Sequence, residues 1–229
     1  MTPIQHLTTG GRANRPVYCI ERMAVIIFDF DGTIADSFEY VAGFLERHVR
    51  NTHPLTETEK QKLRGMTMRE MAAHLGSPAW KLPWLFIIGR RAMGKAIYDV
   101  PVFAGMGKVI EQLHAEGHEL MIVSSNNNRN IKRSLKQHHL YKYFTDIYGN
   151  AGFFGKRRAI RSILWRNSLQ AKDTVYIGDE ARDVVAAKAA NVRSIAASWG
   201  FDKAEILASH GPTAIAHTPQ DIVRILEEL

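Results

Sequence analysis

The chain has 229 residues, enough for a substantial core in one large domain or two small ones, and its 45% hydrophobic and 23% charged content is ordinary for a soluble globular protein. Cys19 is the lone cysteine, which excludes an intramolecular disulfide and a cysteine-built zinc site and fits a reducing compartment, with the cytoplasm as the expected location. The net charge of +7 favours an anionic partner, and without long Lys/Arg runs or an aromatic-basic signature a small anion is favoured over nucleic acid.

Residues 1–22 lack the apolar core of a signal peptide and carry Arg12, Arg15 and Arg22 against one acid, Glu21. They are expected to form a disordered tail, or to lie upstream of a native start at Met23. The run Ala24 to Ile27 reads as a buried strand, and Asp31-Gly32 begins a turn after it. Residues 38–100 contain no convincing strand. Phe38 to Val49 has a helical pattern, and Thr56 with Glu59 offers a capping box for a second helix. Thr67 with Glu70 offers another for a third, which Gly76 ends, and residues 84–98 make a fourth after Pro83. The apolar stretch around Leu82 to Gly89 is far too short to span a bilayer, so no membrane partner is expected. Trp80, Trp84, Leu85, Phe86 and Ile87 are expected in the core of this helical segment or at its contact with the rest of the chain.

From residue 101 strands and helices alternate. Gly107 to Glu116 is helical and Gly117 stops it; Glu119 to Val123 is a buried strand; Ile131 to Gln137 is helical. Asp146 to Tyr148 is a short strand, Arg158 to Trp165 a helix, and Thr174 to Ile177 a buried strand. Asp183 to Ala190 is an Ala-rich helix ending at Asn191, followed by outer strands at Ser194 to Ala196 and Thr213 to Ile215. This alternation predicts an α/β fold: a Rossmann-like parallel sheet with helices on both faces and an inserted α-helical cap. The expected division is a core of residues 23–37 and 101–229 and a cap of residues 38–100. In such sheets the ligand sits at the carboxyl ends of the strands.

Asp29 and Asp31 fall at the exit of the first strand. Two ionised carboxylates this close, beside an apolar interior, persist only with a cation or a shared proton. Four motifs occur in order: Asp29-x-Asp31-Gly32-Thr33, then Ile122-Val123-Ser124, then Lys156, then Gly178-Asp179-Glu180-x-x-Asp183. In this set the chain resembles the haloacid dehalogenase superfamily over residues 23–229, specifically its phosphatases with a small helical cap. The pattern from Gly178 to Asp183, with Ala197 to Gly200 downstream, is most similar to phosphoglycolate phosphatases.

The resemblance implies a reaction and roles. Asp29 is the implied nucleophile, forming an aspartyl-phosphate, and Asp31 the general acid and base. Mg2+ is the implied cofactor, held by the Asp29 carboxylate, the Asp31 carbonyl and Asp179, with Asp183 ligating directly or orienting a water. Ser124 and the amides of Ser125 and Asn126 would donate to the phosphoryl oxygens, with Gly32 and Thr33 beside them, and Lys156 would pair with Asp29 and the phosphate. Among the cap bases Arg64, Arg69, Arg90, Arg91 and Lys95, Arg64 is favoured for a second anionic group on the substrate. The implied partner is a small phosphorylated metabolite. His138-His139 is not a metal pair, since adjacent helical residues do not face one site. Asp31 argues against a dehalogenase. A phosphonate hydrolase using Lys60, Lys62, Lys81 or Lys95 stays open, and so does a sugar phosphomutase, mildly disfavoured by Gly65-Met66-Thr67-Met68-Arg69. A non-catalytic phospho-ligand-binding protein is disfavoured by the four intact aspartates.

Overall fold

The computed structural model describes residues 23–49, 54–66, 68–152 and 155–229; the expectations for the tail and for Thr67 as a cap lie outside them. The strands are β1 (Val25–Phe28), β2 (Glu119–Val123), β3 (Phe144–Tyr148), β4 (Thr174–Gly178), β5 (Arg193–Ala197) and β6 (Ala214–Ala216). They form one sheet in the order β3-β2-β1-β4-β5-β6, with every pairing parallel. Strand side chains alternate between two cores, as the two-residue repeat requires. Ile26, Phe28, Leu120, Ile122, Val175 and Ile177 face one side. Val25, Ile27, Met121, Val123 and Tyr176 face the other. Because both faces are covered, the strands read as continuous apolar runs rather than alternating ones.

The first face is covered by α5 (Met106–Ala115), α6 (Asn128–Gln137) and α10 (Pro219–Glu228), and the second by α7 (Lys156–Arg166) and α8 (Ala181–Ala189). The short α9 (Ala204–Ser209) joins α8 and β6 in a small satellite core. Helix stops fall where the sequence places them. Gly117 (φ 90°) follows α5 and Asn191 (φ 58°) follows α8, both left-handed.

Between β1 and β2 the chain makes α1 (Phe38–Val49), α2 (Glu57–Leu63), α3 (Met68–His74) and α4 (Leu82–Ala96), with no strand among the described residues. This insertion has a core of its own, including Phe38, Leu45, Leu63, Met71 and Leu85. The Thr56–Glu59 capping box forms in both directions at the start of α2. The expected burial of the aromatic stretch holds for Leu85 and fails for Trp80, Trp84 and Ile87, while the Phe86 side chain lies outside those described. Trp80, Trp84 and Ile87 are 76%, 52% and 53% exposed. The reason is helical rotation: Leu85, Ile88 and Ala92 point to the insertion's core, which turns Trp84 and Ile87 outward.

The chain winds outward from β1 through β2 to β3, then returns beside β1 as β4 and winds the other way. The crevice at the carboxyl ends of β1 and β4 is therefore the topological switch point, where open parallel sheets bind ligands.

Candidate active site

Asp29 leaves β1 with its amide still in the ladder, donating to the Ile177 carbonyl at 2.8 Å. Asp179 leaves β4, Ser124 leaves β2, and all three are buried. The fourth wall is Lys156, the first residue of α7 and 2% exposed, while Arg157 and Arg158 beside it are exposed. Lys156 ion-pairs with both Asp29 and Asp183. The other Asp29 oxygen accepts the Phe30 amide at 2.7 Å. The carboxylate is thus fixed at both oxygens.

Carboxylate oxygens of Asp29, Asp179 and Asp183 lie within 4.8 Å of one another. Asp179 is held by the Thr33 hydroxyl at 2.8 Å and the Phe201 amide at 2.8 Å. Asp183 accepts the Glu180 amide at 3.2 Å, and the Tyr176 hydroxyl lies 3.4 Å from it. Gly32 makes room for this arrangement. It has φ 81°, and a Cβ there would sit 2.0 Å from an Asp179 oxygen. Three buried acids against one lysine form a hard-oxygen donor set suited to one divalent cation. Their electrostatic surroundings carry the same imbalance. Burial, reinforced by Asp183, raises the Asp29 carboxyl to about 6 despite Lys156. Burial, with Glu180 and Asp29 nearby, pushes Asp179 well above the usual carboxylate range. Burial disfavours the Lys156 charge, but Asp183 and Asp29 overcome it and hold the ammonium protonated.

Asp31 stands apart from that carboxylate group. Its two oxygens accept the Asn126 side-chain amide at 3.0 and 3.3 Å. Burial, with Asp29 close by, raises its carboxyl to about 6, and the Asn126 bond opposes the rise. A carboxyl in that range can both give and take a proton near neutral pH.

The Asn126 amide proton goes to the Ser124 hydroxyl oxygen at 3.1 Å, so of the two loop amides expected to face an anion, Asn126 is already occupied within the loop. The Ser125 hydroxyl donates to Gly152 at 3.3 Å. Arg64 lies at the seam between insertion and sheet. Its guanidinium donates to the Gly200 carbonyl at 3.1 Å and stacks 3.9 Å over the Phe38 ring. Lys60 pairs on the surface with Glu39 at 2.6 Å and Glu57 at 2.9 Å.

Three supporting side-chain roles escape a reading of the sequence. Asn126 acts through its side chain, which only the fold brings to Asp31. Tyr176 is hidden within the apolar run of β4. Arg182 sits inside the fourth motif, pairs with Glu180 and reaches the Ser125 hydroxyl at 3.4 Å.

A family model for haloacid dehalogenase-like hydrolases matches residues 26–197, from β1 to the end of β5. The chain belongs to that family. The matched range contains Asp29, Ser124, Lys156 and Asp179 at the strand ends and helix start just described. Among curated relatives, phosphoglycolate phosphatase of Synechococcus elongatus is 30% identical over 209 residues, covering 90% of this chain and 99% of that protein. Phosphoglycolate phosphatase of Vibrio parahaemolyticus is 22% identical, covering 88% of this chain and 95% of that protein. The fold is shared with a haloacid dehalogenase-like hydrolase of Streptococcus pneumoniae, at a TM-score of 0.74 and 21% identity over 89% of this chain and 98% of that one.

Proposed function

We propose that this hydrolase is a Mg2+-dependent phosphatase that cleaves a small organophosphate monoester, of the phosphoglycolate class, through an aspartyl-phosphate. The observation that carries the reading is the separation of two acids within one crevice. Asp29 is clamped by Lys156 and the Phe30 amide, while Asp31 is held independently by Asn126. The names of the curated relatives support the same class of substrate.

A carboxylate oxygen of Asp29 attacks phosphorus, and the bond to the leaving oxygen breaks. The Asp31 carboxyl gives its proton to that oxygen. The resulting Asp31 carboxylate then takes a proton from water as the water oxygen attacks phosphorus and the bond to Asp29 breaks. Inorganic phosphate leaves and both acids return to their starting states. Ser124 donates its hydroxyl to the phosphoryl group, and Lys156 keeps the Asp29 and phosphate charges together. Asp29, Asp179 and Asp183, with the Asp31 carbonyl, would hold the Mg2+, which supplies charge neutralisation at the phosphoryl oxygens when bound.

The segment 38–100 acts as a cap over the core formed by residues 23–37 and 101–229. It excludes bulk water and macromolecules, which limits substrates to small ones. Arg64, bonded to the Gly200 carbonyl at the seam of the two, would meet a second anionic group on the substrate.

Hydrolysis of p-nitrophenyl phosphate with and without Mg2+, in the native chain and in Asp29→Asn, tests the reading. Turnover that needs the ion and disappears in the variant supports it; undiminished turnover in the variant defeats it. A panel of phosphorylated metabolites ranked by kcat/KM then names the substrate.

A further inference from the structure

A cleft of about 460 Å³ lies between α4 and α6. Arg91 and Gly94 line it from one side, and Asn127, Arg129, Asn130 and Arg133 from the other. None of the catalytic acids, Ser124 or Lys156 lines it, so it is a second concavity. Its volume falls within the range of small-ligand sites.

Its charge is uncompensated. Among the described residues, no carboxylate pairs with Arg91, Arg129 or Arg133. Neither α4 nor α6 contains an Asp or Glu. Arg129 lies in the first turn of α6, where the positive end of the helix dipole disfavours a cation. The cap there is a neutral amide, Asn127, bonded to the Asn130 backbone at 2.8 Å. Three exposed guanidiniums line one cleft beside a helix N-terminus, a positive field that an entering anion would neutralise. Guanidinium forks match the oxygens of a phosphate.

The cleft is also wired to the catalytic crevice. Asn130 is buried, and its Nδ2 donates to the Asn126 Oδ1 at 3.0 Å. The Nδ2 of that same Asn126 amide holds Asp31. Asn130 has little room to shift towards α4, since a Cβ on Gly94 would lie 3.2 Å from its Oδ1.

We propose that this cleft is a second anion site that takes a phosphate group, and that Asn130 and Asn126 relay its occupancy to Asp31. The phosphate is either a second one on the substrate or a free phosphate ion. The first source rests on the phosphatase reading; the second does not.

The test begins with inorganic phosphate titrated calorimetrically into the metal-free full chain. The native protein binds it, and replacing Arg91, Arg129 and Arg133 together by Ala weakens binding at least about tenfold. Arg133→Gln alone gives a smaller loss in the same direction and serves if the triple variant does not fold. Ser124→Ala retains binding. Absence of binding in the native chain, equal binding in the arginine variants, or loss in Ser124→Ala alone overturns the proposal. The titration needs no turnover, so it stands or falls separately from the role of Asp29. The source is read from kcat/KM for an organic monophosphate and for the bisphosphate of the same skeleton. A fall for the bisphosphate alone in Arg133→Gln assigns a second substrate phosphate. An unchanged ratio with weakened phosphate binding assigns the free ion.

Discussion

Asn126 donates its side-chain amide to both oxygens of Asp31, at 3.0 and 3.3 Å, while its own oxygen accepts from Asn130 and from the Asn127 amide. The amide is thereby fixed at both ends and cannot rotate without losing all of these bonds. It orients an acid that the Lys156 clamp on Asp29 and Asp183 does not hold.

Asn126→Ala removes that orientation and leaves the Asp29 clamp untouched. The expected result is a fall in kcat of about ten- to a hundredfold, less than the full contribution of about a hundred- to ten-thousandfold from a positioned acid or base, because Asp31 itself remains. KM changes little and the fold is retained by circular dichroism. A kcat equal to the native value would show that Asp31 needs no such positioning.

Lys156 is the sole cation paired with Asp29 and Asp183 among the described residues, and all three are buried. Lys156→Met leaves two buried carboxylates facing each other. Removing one partner of a buried pair typically costs about 3–5 kcal/mol. Urea unfolding of the metal-free variant is expected to show a loss of that size, part of it recovered by adding a divalent cation. A loss under about 1 kcal/mol, within the range of exposed pairs, would contradict the assignment.

Gly32 meets two constraints at once, a φ of 81° and an Asp179 oxygen where a Cβ would stand. Gly32→Ala must strain the turn and displace Asp179, at a cost of about 1–3 kcal/mol. Thermal melts with and without Mg2+ separate the two effects. The variant is expected to melt lower and to lose most of the ion-induced rise shown by the native protein. An unaltered rise would place the cation away from Asp179.

A pH-dependent contribution sits far from the site. Asp221 accepts the backbone amides of Thr218 at 2.8 Å and His217 at 3.0 Å, at the start of α10. The Thr218 bond, more than any other interaction, holds its carboxyl below the ordinary value of 3.8. Stability from this cap is therefore full above the unfolded value and is lost as pH falls through the lower folded one. Asp221→Ala is expected to cost about 1 kcal/mol at neutral pH, with the difference shrinking well below pH 3.8. Urea midpoints for both proteins at neutral and strongly acidic pH check this; a constant difference contradicts it.

The order of strands and helices could be read from the sequence because β1, β2 and β4 are buried on both faces and so form unbroken apolar runs. Asp29, Ser124 and Asp179 could be placed because each closes such a run, and their convergence follows from the parallel order. Lys156 is not singled out by sequence alone, since Arg157 and Arg158 offer the same charge; only the start of α7 decides which residue points inward. The helices α9 and α10 lie outside the expected elements, although Thr218-Pro219 followed by Asp221 is a helix-start signature. Trp80, Trp84 and Ile87 misled because apolar character in a short run does not fix which face of a helix is buried. Asn126 and Tyr176 owe their positions to contacts across 95 and 7 residues, and composition at either end carries no sign of them.

The most direct test of the proposed chemistry is chemical trapping of the enzyme during turnover. Rapid quenching followed by borohydride reduction converts an aspartyl-phosphate to homoserine, which peptide mass mapping locates. Homoserine at position 29, seen only when substrate and Mg2+ were present, is the predicted result. Sustained turnover with residue 29 still mapped as aspartate, or with homoserine at Asp31 instead, would contradict it.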